Sequence, residues 1–207
     1  MQQLKVFYTY HPVTFILLAL NTIMVLLVMF DGGFTVENLV GWGAIYPPFV
    51  KNGQYYRLLT ATALHGSLIH YFFNSYVLYY LGSNMEKMVG SWRFGLVYLF
   101  SALVSSLAVV FFGHPNVVTI GASGAIFGVM GGILMLTIRK KEWFNESAIR
   151  SLRILVIINL VFTFLFPNIS IPGHLGGLVA GLVLFLVFTP NEPYFFRYLR
   201  HDDDMYH

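Results

Sequence analysis

The sequence contains no cysteine, which excludes disulfides, thiolate metal sites and Fe–S clusters. Charged residues are also scarce, at 10% of the chain, against about 25% in an average soluble domain. The 12 basic residues are scattered, so no basic face for binding nucleic acid is indicated. The shortage of charged residues, together with the high apolar content of the chain, excludes a soluble globular enzyme and a disordered chain.

Apolar residues are abundant instead, since 57% of the 207 residues are hydrophobic. One membrane-spanning helix needs about 20 mostly apolar residues, so this content suffices for about six spans. Charge-free stretches and turn-forming residues place the spans at 13–30, 58–81, 94–112, 122–138, 153–166 and 174–189. We expect an all-α polytopic membrane bundle of six helices, with 1–207 as a single membrane domain that ends in a short tail, 191–207.

The basic residues fall mainly on one side of this arrangement. With both termini in the cytoplasm, ten of the lysines and arginines lie inside, and only Lys51 and Arg57 lie outside. This asymmetry follows the positive-inside rule and predicts cytoplasmic termini. The apolar run after Lys5 lacks a small-residue cleavage site, so we expect a retained first helix rather than a signal peptide.

Few strongly polar side chains lie within or at the ends of the predicted spans, and each is a candidate functional residue. They include His65, His70, Asn74, Ser123 and His174. All nine carboxylates lie at span ends, in loops or in the tail. This distribution excludes an aspartyl intramembrane protease and argues against a proton-coupled transporter. The His-Glu-x-x-His pattern of zinc proteases is also missing.

The remaining polar groups suit acyl-transfer chemistry, which needs a nucleophile, a base and oxyanion donors. Ser123 and His174 each lie 16 residues from the charged or proline-marked end of their span, about 24 Å at 1.5 Å per residue. His70 has the same estimated depth, and Asn74 lies one turn below it. We therefore expect these four side chains to meet near the outer surface of the membrane.

Glycine recurs every fourth residue on the predicted helices that carry Ser123 and His174. The two stripes are Gly124, Gly128 and Gly132, and Gly173, Gly177 and Gly181. Such stripes let helix backbones approach closely in lipid. Close packing of the fourth and sixth spans would bring the Ser123 Oγ within reach of a His174 nitrogen.

The motifs Gly121-Ala122-Ser123-Gly124, His70-x-x-x-Asn74 and Gly173-His174 occur in the fourth, second and sixth spans. Together they resemble the signature of the rhomboid intramembrane serine proteases. Tyr56-Arg57 is similar to the Trp-Arg of that family's first loop, and Tyr80-Leu81-Gly82 with Glu86 extends the second-helix pattern. The likeness covers about residues 40–185.

The resemblance implies a role for each matching residue. Ser123 would be the nucleophile and His174 the general base and acid, in a dyad without a carboxylate. The side chains of His70 and Asn74, with the Ser123 N–H, would stabilise the oxyanion. Phe127 stands where relatives often carry tyrosine and keeps a ring that can stack on the histidine. Further supporting residues would be Gly121, Gly124, Gly177, Gly181, Arg57 and Glu86.

The implied activity is endopeptidase cleavage in or near transmembrane helices of other membrane proteins. The expected setting is a bacterial inner membrane, with membrane lipid and transmembrane substrates as partners and with no cofactor, metal or nucleic acid. The sequence does not specify an oligomeric state.

One alternative is a non-catalytic protein of the same fold that binds transmembrane helices. Another is a metal or haem site built from His65, His70 and His174. Helical arithmetic argues against that site, because His65 and His70 would be about 140° apart on one helix.

Overall fold

A computed structural model describes residues 2–196, with side chains from residue 5 onward. This part of the chain is helical, and its only strand-like pairing is an isolated antiparallel bridge between Ile45 and Thr119. The predicted all-α class is therefore confirmed. The predicted tail lies outside the described residues from 197 onward. The α-helices are α1 (Gln2–Tyr10), α2 (Pro12–Phe30), α3 (Val36–Gly41), α4 (Pro47–Lys51), α5 (Arg57–Thr60), α6 (Leu68–Val77), α7 (Ser83–Val89), α8 (Ser91–Phe112), α9 (Ser123–Arg139), α10 (Glu146–Leu165) and α11 (Ile171–Phe188).

Several of the described helices suit a lipid environment. Helices α2, α8, α10 and α11 are long and apolar enough to cross a bilayer, and α9 is apolar but shorter. Large apolar side chains cover their outer faces; Phe30 is 82% exposed and Phe112 is 80% exposed. Lipid solvates such a surface, whereas water disfavours it. The helices therefore indicate an integral membrane protein, and the count of six spans stays a prediction.

The second predicted span begins later than expected. Instead of one helix from residue 58, the chain forms the short α5 and a 3₁₀ turn, Ala61–Ala63, and then continues as non-helical backbone. Helix α6 starts only at Leu68, where the Ser67 side chain caps it by accepting a hydrogen bond from the His70 N–H at 3.1 Å. A π-helical turn, Leu78–Gly82, joins α6 to α7. Hydropathy could not reveal this start, because residues 58–67 are uncharged whether helical or not.

Helix α9 lies at the centre of the bundle, packed between α8 and α11. It is buried without a break from Gly124 to Ile133, as expected for a helix that is apolar on every side. This central position fixes the height of Ser123, its first residue.

The glycine stripes form the contact between α9 and α11. A methyl group added at Gly177 would overlap the carbonyl oxygen of Gly124, and one added at Gly181 would overlap that of Gly128. Only glycine allows the two backbones to come this close. The predicted close packing of these helices is confirmed.

Glu86 fastens two helices together at the opposite end of the bundle from Ser123. Its carboxylate accepts hydrogen bonds from the N–H groups of Val13 at 2.9 Å and Thr14 at 2.8 Å, and from the Thr14 hydroxyl at 2.7 Å. These N–H groups lie in the first turn of α2 and have no partner within that helix. A buried negative charge at a helix N-terminus is also favoured by the helix dipole. Glu86 therefore holds the start of α2 against α7.

Candidate active site

Ser123 is positioned by the chain that precedes it. Ile45 and Thr119 exchange two backbone hydrogen bonds of 2.9 Å, and the Gly121 N–H donates to the Ala61 carbonyl at 2.9 Å. The segment is thus fixed on both sides immediately before α9 begins. Since Ser123 is the first residue of that helix, its backbone N–H lacks an intrahelical partner and is free to donate to a bound group.

Gly121 makes this approach possible. Its φ is +117°, a conformation that side chains rarely adopt, and an added Cβ would lie 2.9 Å from the His70 Cε1. A larger residue would be strained and would also press on the imidazole. The chain therefore turns into α9 directly beside the ring of His70.

His174 enters the site from the first turn of α11. The Ser170 side chain caps this helix by accepting a hydrogen bond from the Gly173 N–H at 3.2 Å. The imidazole is buried and stacks on the Phe127 ring, with centroids 4.1 Å apart and planes 19° apart. The stacking expected of Phe127 is confirmed, and it holds one face of the imidazole.

Thr163 on α10 contacts the same imidazole and was missed by the sequence reasoning. The Thr163 Oγ1 lies 2.8 Å from the His174 Nδ1, and the Thr163 side chain is only 1% exposed. A lone threonine in an apolar span is weak evidence, because its hydroxyl commonly bonds to its own helix. The signal that could have found it is its place on the buried stripe of α10, Ile149, Val156 and Thr163.

His70 and Asn74 lie one turn apart on α6. Asn74 is buried, and its Nδ2 donates to the His70 carbonyl at 3.0 Å. One of the two amide protons is used in this bond, and the other is left for a further acceptor.

The expectation that His65 faces away from His70 is wrong. The two rings pack edge to face with centroids 5.1 Å apart. The helical arithmetic does not apply, because His65 precedes the start of α6 and lies on non-helical backbone. His65 is also 1% exposed.

One cavity of about 750 Å³ connects the predicted residues. Ser123, His174, His70 and Asn74 all line it, together with the segments 117–121 and 167–173. It lies at the end of the bundle where α8 stops and α9 and α11 begin. Among the described residues the Ser123 hydroxyl makes no hydrogen bond to His174. In enzymes without bound substrate such bonds are commonly long, and they tighten in the complex.

Comparison with known proteins identifies the family. Residues 52–191 match the family model of the Rhomboid domain. The chain belongs to the rhomboid family. Rhomboid protease GluP of Bacillus subtilis is 38% identical over 81% of this chain and 33% of its own length, so the chain spans about a third of that relative. YdcA of Bacillus subtilis is 28% identical over 88% of this chain and 92% of its own length. RHOMBOID-like protein 4 of Arabidopsis thaliana is 33% identical over 70% of this chain and 37% of its own length.

In this rhomboid chain Arg57 organises the long loop between α2 and α6. Its guanidinium donates to the carbonyls of Val40 at 2.7 Å and Ala44 at 2.9 Å, and to the Gln54 Oε1 at 2.7 Å. It also lies 5.1 Å from the centre of the Phe49 ring, within cation–π range. Because Ile45 holds Thr119, the loop that Arg57 organises also supports the chain leading to Ser123.

A metal centre gains no support from the rhomboid site. Among the described residues, no three histidine, aspartate or glutamate side chains are grouped so that they could hold a metal ion. His65 and His70 touch each other, but His174 instead contacts Thr163 and Phe127.

Proposed function

We propose that this chain is an intramembrane serine endopeptidase that uses Ser123 and His174 as its dyad. The observation that carries the proposal is the shared cavity, which is lined by the nucleophile, the base and two candidate oxyanion donors from three helices. Membership of the rhomboid family supports the same activity.

Acylation begins when the His174 imidazole removes the proton from the Ser123 hydroxyl. The Oγ attacks the scissile carbonyl carbon, and the imidazolium then donates its proton to the leaving amine as the peptide bond breaks. Water entering the cavity hydrolyses the acyl-enzyme with His174 again as base. Stacking on Phe127 limits rotation of the imidazole during these transfers.

The negative charge that develops on the substrate oxygen needs donors that are already in place. The Ser123 N–H at the start of α9, the free amide proton of Asn74 and the His70 ring supply them. One such donor contributes about 3 kcal/mol of transition-state stabilisation in serine proteases.

The substrate we propose is a transmembrane helix of another protein. A helical carbonyl is hydrogen-bonded within its own helix and shielded, so it must unwind before attack. Helix-breaking residues such as glycine and proline near the cleavage point favour that unwinding, and we expect small residues at the cleavage point itself. We place the six spans in a bacterial inner membrane with the basic end of the bundle, including Arg139, in the cytoplasm.

The test is cleavage of a tagged transmembrane substrate by the full chain in proteoliposomes. Wild type should release the expected fragment, and Ser123→Ala and His174→Ala should each reduce kcat by at least about 10³-fold. Ser151→Ala is the matched control, because Ser151 is an exposed serine at the other end of the bundle, and it should cleave like wild type.

Two outcomes would contradict the proposal. Cleavage by Ser123→Ala at the wild-type rate would remove Ser123 from the chemistry. Tight substrate binding without turnover by the wild-type chain would instead favour the non-catalytic helix-binding alternative.

A further inference from the structure

Helix α10 turns one polar side chain toward the site from an otherwise apolar stripe. Its buried residues are Ile149, Val156 and Thr163, spaced seven residues apart, so they share the face that packs on the bundle. Valine would fill the Thr163 position with the same shape. The hydroxyl is therefore not needed for packing, and its contact with His174 requires another explanation.

The Thr163 hydroxyl has two neighbours and a single proton. Its Oγ1 donates to the Asn159 carbonyl at 2.9 Å and also lies 2.8 Å from the His174 Nδ1. If the hydroxyl proton goes to Asn159, the oxygen can accept a proton from Nδ1, and both hydrogen bonds form. If the hydroxyl donates to Nδ1 instead, the bond to Asn159 is lost. The arrangement with both bonds places the imidazole proton on Nδ1.

We propose that Thr163 is a positioning residue that holds His174 in the Nδ1–H tautomer. This leaves Nε2 without a proton, which is the form that can accept one from Ser123. In serine proteases with a carboxylate at this place, that group sets the tautomer and stabilises the imidazolium. A neutral hydroxyl can also set the tautomer, but it stabilises the imidazolium less than a carboxylate does. The inference rests on the proposed function of the Ser123–His174 dyad.

The tautomer is measured directly by NMR of the full chain labelled with ¹⁵N-histidine, at a pH where the ring is neutral. The His174 signals are assigned by their loss in His174→Ala. Wild type should carry the proton on Nδ1. If the proton in the wild-type protein lies on Nε2 of His174, the proposal is wrong. This measurement needs no Thr163 variant, so it decides the question even if Thr163→Val does not fold.

Variants then connect the tautomer with turnover. Thr163→Val should shift His174 toward the Nε2–H form and reduce kcat about tenfold while KM changes less than twofold. Thr163→Ser keeps the hydroxyl and should restore both readouts. Thr137→Val is the matched control, because Thr137 is also buried and donates to a carbonyl of its own helix, Leu134, at 2.8 Å.

The outcomes separate this inference from the proposed function. A lower kcat in Thr163→Val with an unchanged tautomer would assign Thr163 a packing role and overturn the inference. If wild type cleaves nothing, the proposed function fails, whereas the wild-type tautomer still decides whether Thr163 orients His174.

Discussion

A methyl group added at Gly177 should separate the two helices that carry the proposed dyad. The new Cβ would overlap the Gly124 carbonyl oxygen, and restoring van der Waals contact requires a shift of about 1 Å or more. Overpacking of this kind typically costs about 1–3 kcal/mol of stability. Because Gly124 directly follows Ser123, the shift also displaces the nucleophile from His174, and a displacement of about 1 Å can cost about 10²-fold in rate. Gly177→Ala should therefore lose stability and about 10²-fold in kcat.

Alanine substitutions at two other glycines, Gly181 and Gly95, serve as comparisons for Gly177→Ala. Gly181→Ala overlaps the Gly128 carbonyl in the same way but lies one turn further from Ser123. It should lose similar stability and less activity. Gly95→Ala is the neutral control, because its nearest contact would be Val13 Cγ1 at an ordinary 3.7 Å. Thermal unfolding and cleavage kinetics of the purified variants provide the two readouts. If Gly177→Ala has the stability and activity of the wild type, the close contact between α9 and α11 is refuted.

Asn74 lines the cavity and Glu86 lies far from it, so substitutions at the two residues should affect different properties. Asn74→Ala should reduce kcat by about 10²–10³-fold with little change in KM, because an oxyanion donor acts in the transition state. The control is Asn84→Ala, which removes a similar hydrogen bond to its own helix at Tyr80 and should leave the kinetics of cleavage unchanged. Equal effects of the two substitutions would contradict the role of Asn74 as an oxyanion donor. Glu86→Gln should lower the free energy of unfolding by about 1.5–3 kcal/mol, because a buried charged acceptor of three hydrogen bonds is lost. Urea titration measures the free energy of unfolding, and Glu142→Gln, at an exposed glutamate, is the control. Equal stability of the two variants would argue against the stabilising role of Glu86.

Much of the fold follows from patterns that lipid imposes on any sequence. Apolar runs predicted the helical bundle, and glycine spacing predicted the contact between α9 and α11, because backbones approach closely only where side chains are missing. Depth arithmetic along straight helices also placed Ser123, His174, His70 and Asn74 near one level, and these four line one cavity.

Two errors arise where the chain is not a straight helix. The start of α6 at Leu68 depends on a cap at Ser67 rather than on hydropathy. His65 therefore packs on His70, although helical spacing separated them. Thr163 lies on a regular helix and was missed for another reason: its spacing from Ile149 and Val156 indicates a buried position, but not that its hydroxyl meets the imidazole of His174.

A fluorophosphonate reacts with a serine hydroxyl that a neighbouring base activates, so it reports whether His174 activates Ser123. The full wild-type chain is incubated with the reagent, and the modified residue is located by mass spectrometry. A single adduct on Ser123 that disappears in His174→Ala is the predicted result. An adduct on another serine, or equal labelling of Ser123 in His174→Ala, would show that His174 does not activate Ser123.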